Sequence, residues 1–198
     1  MAGNTPVAIS QKTIDCEVLI LLSGGIDSAA CVDFYIDFGR KPCGLHIDYG
    51  QPASGKEAES AKAIADYYSI PLFYSRWEGY IAKTVGFING RNSFLIAAAL
   101  MERPQSVSII GIGIHGGTVY QDCSGDFLTK MQNVIDLYEN GKVQLSAPFL
   151  DFSKSEIYSY CIKRRIPIEL TYSCETGSTP PCGECLSCKD RELLNACL

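Results

Sequence analysis

A short glycine-rich segment, Ser23-Gly24-Gly25-Ile26-Asp27-Ser28, carries residue types that bind phosphate. Two adjacent glycines let the backbone turn sharply and approach a ligand closely. The backbone amides and the hydroxyls of Ser23 and Ser28 then converge at a helix N-terminus, where partial positive charge favours an anion. Asp27 beside such a site indicates that a divalent ion such as Mg²⁺ accompanies the phosphates. The alternative is an ordinary Gly-Gly turn in which serine and aspartate only cap the next helix.

Two better-known phosphate-binding patterns do not describe this chain. The segment lacks the lysine of the Gly-x-x-x-x-Gly-Lys-Ser/Thr loop. Gly111-Ile112-Gly113-Ile114-His115-Gly116 matches the Gly-x-Gly-x-x-Gly of dinucleotide-binding proteins, but it follows the fourth predicted strand instead of the first. The next predicted helix does not begin until Ser124. Both observations disfavour a dinucleotide site.

Four cysteines near the C-terminus have the spacing of metal ligands. Cys174, Cys182, Cys185 and Cys188 are separated by seven, two and two residues, and Gly183 lets the chain fold tightly between them. Four thiolates in tetrahedral geometry describe a closed structural zinc site with no open position for catalysis. An iron–sulfur cluster is the runner-up because thiolates also bind iron. Four free thiols are the remaining alternative.

The composition of the 198-residue chain is that of a folded domain. Hydrophobic residues make up 46% and charged residues 20%, which supplies a core and argues against long disorder. The net charge of −5 disfavours a broad basic surface for nucleic acid. The longest apolar runs, 18–22 and 94–101, fall well short of the roughly 20 residues that cross a membrane.

The N-terminal residues show no secretory-signal pattern, so we expect a cytoplasmic protein with no membrane contact. Because the cytosol keeps thiols reduced, a tight cysteine cluster there indicates a bound metal and not disulfides.

Hydrophobic patterning predicts the elements that position these motifs. Apolar runs predict strands at 17–22, 42–48, 71–75, 106–112 and 143–147, with amphipathic helices between them. Capping boxes are predicted at Ser54/Glu57 and Ser153/Glu156, and Asn92 is predicted to cap the helix that follows the third strand. This alternation predicts an α/β fold with an open, mostly parallel, doubly wound sheet of five strands. Ligands of such sheets bind beyond the carboxyl ends of the strands, where residues 23–28 would lie.

The chain therefore divides into three predicted parts. Residues 1–15 form a flexible N-terminal arm, residues 16–169 form the nucleotide-binding domain, and residues 170–198 form the zinc-binding segment with a terminal helix.

The motifs in order resemble the PP-loop ATP pyrophosphatase family and, more specifically, the QueC-type 7-cyano-7-deazaguanine synthases. Six ordered segments carry the resemblance. They are the Ser-Gly-Gly-x-Asp-Ser loop at 23–28, His-Ile-Asp-Tyr-Gly-Gln at 46–51, Gly-Arg-Asn at 90–92, Tyr-x-Asp-Cys at 120–123, Ala-Pro-Phe-Leu-Asp-x-x-Lys-x-Glu-Ile at 147–157, and Thr-Tyr-Ser-Cys at 171–174.

The resemblance implies an ATP-dependent carbon–nitrogen ligase. Such an enzyme adenylates the carboxylate of 7-carboxy-7-deazaguanine, lets ammonia form the amide, and reaches the nitrile through a second adenylation and loss of AMP. Mg²⁺ with ATP, structural Zn²⁺ and a homodimer are also implied. The implied site residues are Ser23, Gly24, Gly25, Asp27, Ser28, Asp48, Arg91 and Lys154 for ATP, with Asp27 and Lys154 catalytic, and Tyr120 and Asp122 for the deazaguanine. A lysine at the start of a helix opposes the helix dipole, so Lys154 calls for an anion nearby.

Two departures from the family pattern concern the substrate. The family has a longer insertion where residues 76–91 stand here, and Gly116 replaces an acidic residue. A shorter segment over the substrate favours a second hypothesis. In it, an amine of a partner protein accepts the activated deazaguanine, for example in a defence system. A non-catalytic nucleotide-binding module would be disfavoured by the unbroken 23–28 loop. An RNA-binding or tRNA-modifying protein would be disfavoured by the acidic net charge.

Overall fold

The computed structural model describes residues 15–78, 88–118 and 120–195, so residues 1–14 of the predicted arm lie outside it. Within these ranges five strands form one parallel sheet in the order β3-β2-β1-β4-β5. The strands are β1 (Val18–Leu21), β2 (Pro42–Asp48), β3 (Leu72–Arg76), β4 (Ile109–Gly111) and β5 (Gln144–Ser146). The predicted five-stranded parallel α/β fold is confirmed.

Helices connect the strands and follow the last one. They are α1 (Ile26–Asp37), α2 (Ser54–Tyr68), α3 (Arg91–Glu102), α4 (Gly125–Glu139), α5 (Lys154–Arg164) and α6 (Leu186–Asn195), with single 3-10 turns at Gln121–Cys123 and Ile168–Leu170. None of the helices in the described ranges is long and apolar enough to span a membrane.

The predicted capping box at Ser54 is wrong. Helix α2 already begins at Ser54, its N-cap is Ala53, and no described side chain caps it. The carboxylate of Glu57 instead accepts a hydrogen bond of 2.7 Å from Gln51 Nε2. The helix starts one residue earlier than the pattern suggests, which frees Glu57 for another role.

Of the other two predicted caps, one is wrong and one is confirmed. Gly90, not Asn92, precedes helix α3, and the Asn92 amide donates to the carbonyl oxygen of Asp122 at 3.0 Å. At helix α5 both bonds of the capping box between Ser153 and Glu156 are present. These bonds fix the first turn of α5, where Lys154 lies.

The sheet has a hydrophobic core on each face. Val18 and Ile20 of β1 pack with α1, α2 and α5, whereas Leu19 and Leu21 pack on the opposite side with α3 and α4. Successive side chains of a strand point to opposite faces, so a strand covered on both sides must be apolar throughout. This burial explains why β1 reads as an uninterrupted apolar run.

The strand order reverses between β1 and β4, which opens a crevice at their carboxyl ends. The loop after β4 packs directly on the first turn of α1, since a Cβ at Gly113 would lie 2.9 Å from the amide nitrogen of Ser28. A Cβ at Gly111 would lie 3.1 Å from the ring of Tyr35, so both glycines of the Gly-x-Gly pattern at 111–113 serve packing.

Candidate active site

A cavity of about 500 Å³ lies at the carboxyl ends of the strands. Its volume is in the range of small-molecule sites. It brings together residues from segments far apart in the sequence. The predicted site residues that line it are Ser23, Gly25, Asp27, Ser28, Arg91, Tyr120 and Lys154.

The loop after β1 forms the tight turn that the sequence indicates. Gly24 has a left-handed φ of +83°, and a Cβ there would lie only 2.7 Å from the carbonyl oxygen of Glu57 in α2. Gly25 is the N-cap of α1, and its carbonyl oxygen accepts a 2.9 Å hydrogen bond from Ser28 Oγ. Gly24 does not itself line the cavity, so its part is to let the loop seat against α2.

Asp27 and Lys154 meet in the cavity although 127 residues separate them. Lys154 Nζ donates to Asp27 Oδ2 at 2.6 Å, with both side chains mostly buried. The other carboxylate oxygen, Asp27 Oδ1, is buried and has no hydrogen-bond partner among the described residues. The pair places a cation and an oxygen that lacks a partner among the described residues beside the 23–28 loop.

Four helices begin at the cavity. The first residues of α1, α3, α5 and α6 are Ile26, Arg91, Lys154 and Leu186, and all four line it. Helix N-termini carry partial positive charge, and here two of them also carry a cationic side chain. The combined field suits a polyanion such as a nucleotide triphosphate.

The two remaining predicted residues are placed differently. Neither Asp48 nor Asp122 is among the described residues that line the cavity. Asp48 Oδ1 accepts a 2.9 Å hydrogen bond from the amide of Gly50. Asp122 Oδ2 is buried without a partner within residues 15–78, 88–118 and 120–195. Their roles toward ATP and substrate remain predictions.

Several polar residues of the cavity wall were not anticipated from the sequence. They are His46, Gln51, Glu57, His115, Glu175 and Asp190. Burial raises the pKa of Glu57 and lowers the pKa of His115 from their ordinary values, so the uncharged form of each group is favoured. His46 gave one usable signal, because it is the polar side chain inside the apolar run 43–47.

The four cysteines lie in a geometry that fits one metal ion. Their sulfur atoms all lie within 4.8 Å of one another, and the sulfurs of Cys182 and Cys188 are 3.9 Å apart. Tetrahedral zinc with Zn–S bonds of about 2.3 Å requires sulfur separations of about 3.8 Å. Burial alone would raise the pKa of Cys174, but hydrogen bonds from the Cys182 amide and the Thr176 hydroxyl lower it to about 4. Burial raises the pKa of Cys188 to about 12, so the fit to a metal rests on the sulfur positions. The donor set therefore fits a thiolate-bound metal.

Comparison with known proteins identifies the family. Residues 17–78 and 75–194 match the family QueC, described as queuosine biosynthesis protein QueC. The chain belongs to the QueC family. A 7-cyano-7-deazaguanine synthase of Prochlorococcus marinus strain NATL2A is 32% identical over 209 residues, covering 90% of this chain and 92% of that protein. One from Synechococcus sp. strain CC9605 is 31% identical over 216 residues, covering 93% and 92%.

A solved structure agrees with the fold. It is described as a predicted subunit of tRNA methyltransferase from Methanocaldococcus jannaschii and aligns with a TM-score of 0.51 and 15% identity. The alignment covers 75% of this chain and 76% of that chain. At this identity the likeness concerns the fold alone.

In this QueC family member the cysteine segment also forms a wall of the cavity. The amide of Tyr172 donates to the carbonyl oxygen of Gly24 at 3.0 Å, which joins the segment to the phosphate-binding loop. Glu175 Oε1 accepts hydrogen bonds from the amide and the hydroxyl of Ser187, at 3.3 and 2.9 Å, and both residues line the cavity. The order of this wall therefore depends on the segment that the cysteines hold together.

Proposed function

We propose that the chain is a 7-cyano-7-deazaguanine synthase, an ATP-dependent carbon–nitrogen ligase that acts on 7-carboxy-7-deazaguanine. The observation that carries the proposal is the Lys154–Asp27 pair beside the 23–28 loop, inside a cavity that can hold a nucleotide. Family membership and the names of the relatives supply the substrate.

The chemistry begins with activation, because a carboxylate has no good leaving group. A carboxylate oxygen attacks the α-phosphorus of ATP, the bond to the β-phosphate oxygen breaks, and pyrophosphate leaves. Negative charge grows on the departing pyrophosphate. Lys154 and the amides of the 23–28 loop are placed to stabilise that charge, and Asp27 holds the ammonium group of Lys154 in position.

The second stage forms the carbon–nitrogen bond. Ammonia attacks the acyl carbon, AMP leaves, and the attacking nitrogen loses a proton to give the amide. Adenylation of the amide oxygen and loss of AMP with two protons from nitrogen then give the nitrile. Each nitrile thus consumes two ATP and releases two AMP and two pyrophosphate.

Mg²⁺ is the ion that we propose to accompany ATP, where it supplies charge neutralisation. Asp27 Oδ1 is buried and, within the residues that the structure describes, has no hydrogen-bond partner; this oxygen and the hydroxyls of Ser23 and Ser28 are hard oxygen donors of the kind that Mg²⁺ prefers. Zn²⁺ is the ion that we propose for the four cysteines. Four sulfur ligands fill the tetrahedral coordination of zinc and leave no position for substrate, so its role is structural.

The transfer of the acyl group to a partner protein is not favoured by the comparisons, since the relatives carry the name of the ordinary synthase. The segment that motivated this hypothesis, residues 76–91, includes residues 79–87 outside the described ranges.

The test is mass spectrometry of a reaction that contains ATP, Mg²⁺, 7-carboxy-7-deazaguanine and ammonia. We expect 7-cyano-7-deazaguanine, with two AMP for each nitrile. The matched control omits the deazaguanine and should leave ATP uncleaved. Formation of ADP and phosphate would contradict the assignment. Efficient acylation of a protein amine with little nitrile would favour transfer to a partner protein.

A further inference from the structure

The cavity contains a cluster of three polar residues that the proposed chemistry does not use. It consists of His46 in β2, Gln51 in the turn after β2, and Glu57 in the first turn of α2. All three line the cavity. None belongs to the phosphate-binding loop, and their donors and acceptors can be assigned one by one.

His46 has a buried ring nitrogen that can accept a hydrogen bond. The residue is only 3% exposed, and its Nδ1 lies 3.3 Å from the carbonyl oxygen of Leu22. A carbonyl oxygen can only accept, so Nδ1 carries the proton and, in the neutral ring, Nε2 carries the free lone pair. In the part of the chain that the structure describes, this buried Nε2 has no hydrogen-bond partner. A buried acceptor of this kind calls for a donor from a ligand.

Glu57 presents a second acceptor, and Gln51 fixes its orientation. Gln51 Nε2 donates to Glu57 Oε2 at 2.7 Å and to the carbonyl oxygen of Ile47 at 3.1 Å, and its Oε1 accepts from the amide of Tyr49 at 2.9 Å. With every polar atom of its amide bonded, Gln51 is held in one position. Burial raises the pKa of Glu57 above its usual value, and whether or not the group is protonated it keeps an oxygen that can accept a hydrogen bond from a ligand.

Aliphatic residues also line the cavity. They are Leu21, Leu22, Leu45, Ile47 and Leu95. Sites for planar heterocycles combine apolar walls with a few fixed polar groups.

We propose that His46 Nε2 and the Glu57 carboxyl group form an acceptor pair that binds the amino-bearing edge of a fused-ring nucleobase. The inference rests on the proposed function for its candidate ligands. Both ligands carry such an edge. ATP offers the 6-amino group of adenine, and 7-carboxy-7-deazaguanine offers its N1–H and 2-amino group side by side. The shared chemistry is a ring edge that donates hydrogen bonds, and the experiment separates the two sources.

The experiment measures binding by calorimetry in two arms, each with a ligand and its analogue that lacks the amino group. One arm uses α,β-methylene-ATP and the corresponding purine riboside triphosphate. The other uses 7-carboxy-7-deazaguanine and its form without the 2-amino group. The proteins are the wild type, Glu57→Gln and His46→Phe. One of the two ligands binds with its base at the acceptor pair. In that arm, we expect the wild type to bind the analogue without the amino group about tenfold or more weakly than the ligand itself. The two variants should show a much smaller difference between ligand and analogue.

The matched control is Glu59→Gln, which removes the same charge from the same helix at a side chain that is 68% exposed. It should bind all four ligands as the wild type does. His46→Phe keeps a buried ring and serves as the second variant if Glu57→Gln does not fold. The inference is overturned if, in both arms, each variant lowers the affinity for the ligand and for its analogue equally. It is also overturned if neither affinity changes. Failure of the proposed function would instead appear as absence of AMP in wild-type reactions with 7-carboxy-7-deazaguanine. The binding measurements do not depend on AMP formation, so the two failures can be distinguished.

Discussion

The 23–28 loop and the cysteine segment, residues 170–195, border the same cavity but are held in place differently. The loop is joined to β1 and α1, whose residues Val18, Ile20, Ala29 and Ala30 are fully buried. Among the described residues of the cysteine segment, only Cys174 and Leu194 belong to the buried hydrophobic core. The loop is therefore positioned by the core, whereas we expect the cysteine segment to depend on a metal bound by its four cysteines.

This difference has a functional meaning. Charge stabilisation of the leaving group demands donors that do not move during the reaction, and a loop seated on a buried sheet supplies them. A wall contributed by the separate cysteine segment adds residues such as Glu175 and Asp190 to the cavity without altering the sheet. Variants of the cysteine segment should therefore lower stability, whereas variants at the 23–28 loop should lower the reaction rate.

The largest expected effect is that of Cys182→Ser. Structural zinc contributes free energy on the order of 10 kcal/mol to folding, and removal of one thiolate forfeits most of it. We expect loss of one zinc per chain in metal analysis and a large drop in melting temperature. Cys161→Ala, in the core of α5, is the control that should keep its zinc. A well-folded wild-type protein without zinc would contradict the expectation that the cysteine segment depends on a metal.

The next largest effect is expected for Lys154→Ala. Removal of its charge should cost about 3 kcal/mol of transition-state stabilisation, which lowers the rate of AMP formation roughly a hundredfold. Asp27→Ala should lose a similar amount because it holds Lys154 in place. Zinc content and melting temperature should change little. Lys163→Ala, in the last turn of the same helix, is the control. A Lys154→Ala rate close to that of the wild type would contradict the role given to the pair.

Gly24→Ala should destabilise the loop by about 2 kcal/mol or more, since it combines a left-handed φ with a backbone clash. Gly39→Ala separates these two causes. Gly39 has a φ of +70°, but no described atom lies within 4 Å of the position of its Cβ. Chemical denaturation should show the larger loss at Gly24, together with weaker ATP binding. Equal losses at both positions would mean that the contact with α2 has no importance.

The smallest effect is expected for Ser153→Ala, which removes the N-cap of α5. Such a cap contributes about 1 kcal/mol, and its loss should lower the denaturation midpoint and modestly reduce activity through Lys154. Ser159→Ala, at an exposed position of the same helix, is the control. Unchanged stability in Ser153→Ala would show that other contacts fix the first turn of α5.

The sequence by itself determined the order of the elements, the phosphate-binding loop, the cysteine spacing and the family. These features are local, because each depends on residue types at fixed short separations. Apolar runs predicted the strands correctly since burial on both faces of a parallel sheet permits few other arrangements. The cap at Ser153 was predictable because it too is local: its partner Glu156 lies within one helical turn.

Tertiary structure decided which distant side chains meet. The strand order placed Lys154 against Asp27, and the packing of the loop after β4 gave the Gly-x-Gly pattern a structural purpose. It also turned Glu57 from a predicted capping residue into part of the cavity wall. Side-chain direction depends on where a helix begins and on what packs against it, and a shift of one residue changes both. For this reason the acceptor pair of His46 and Glu57 became visible only in the folded chain.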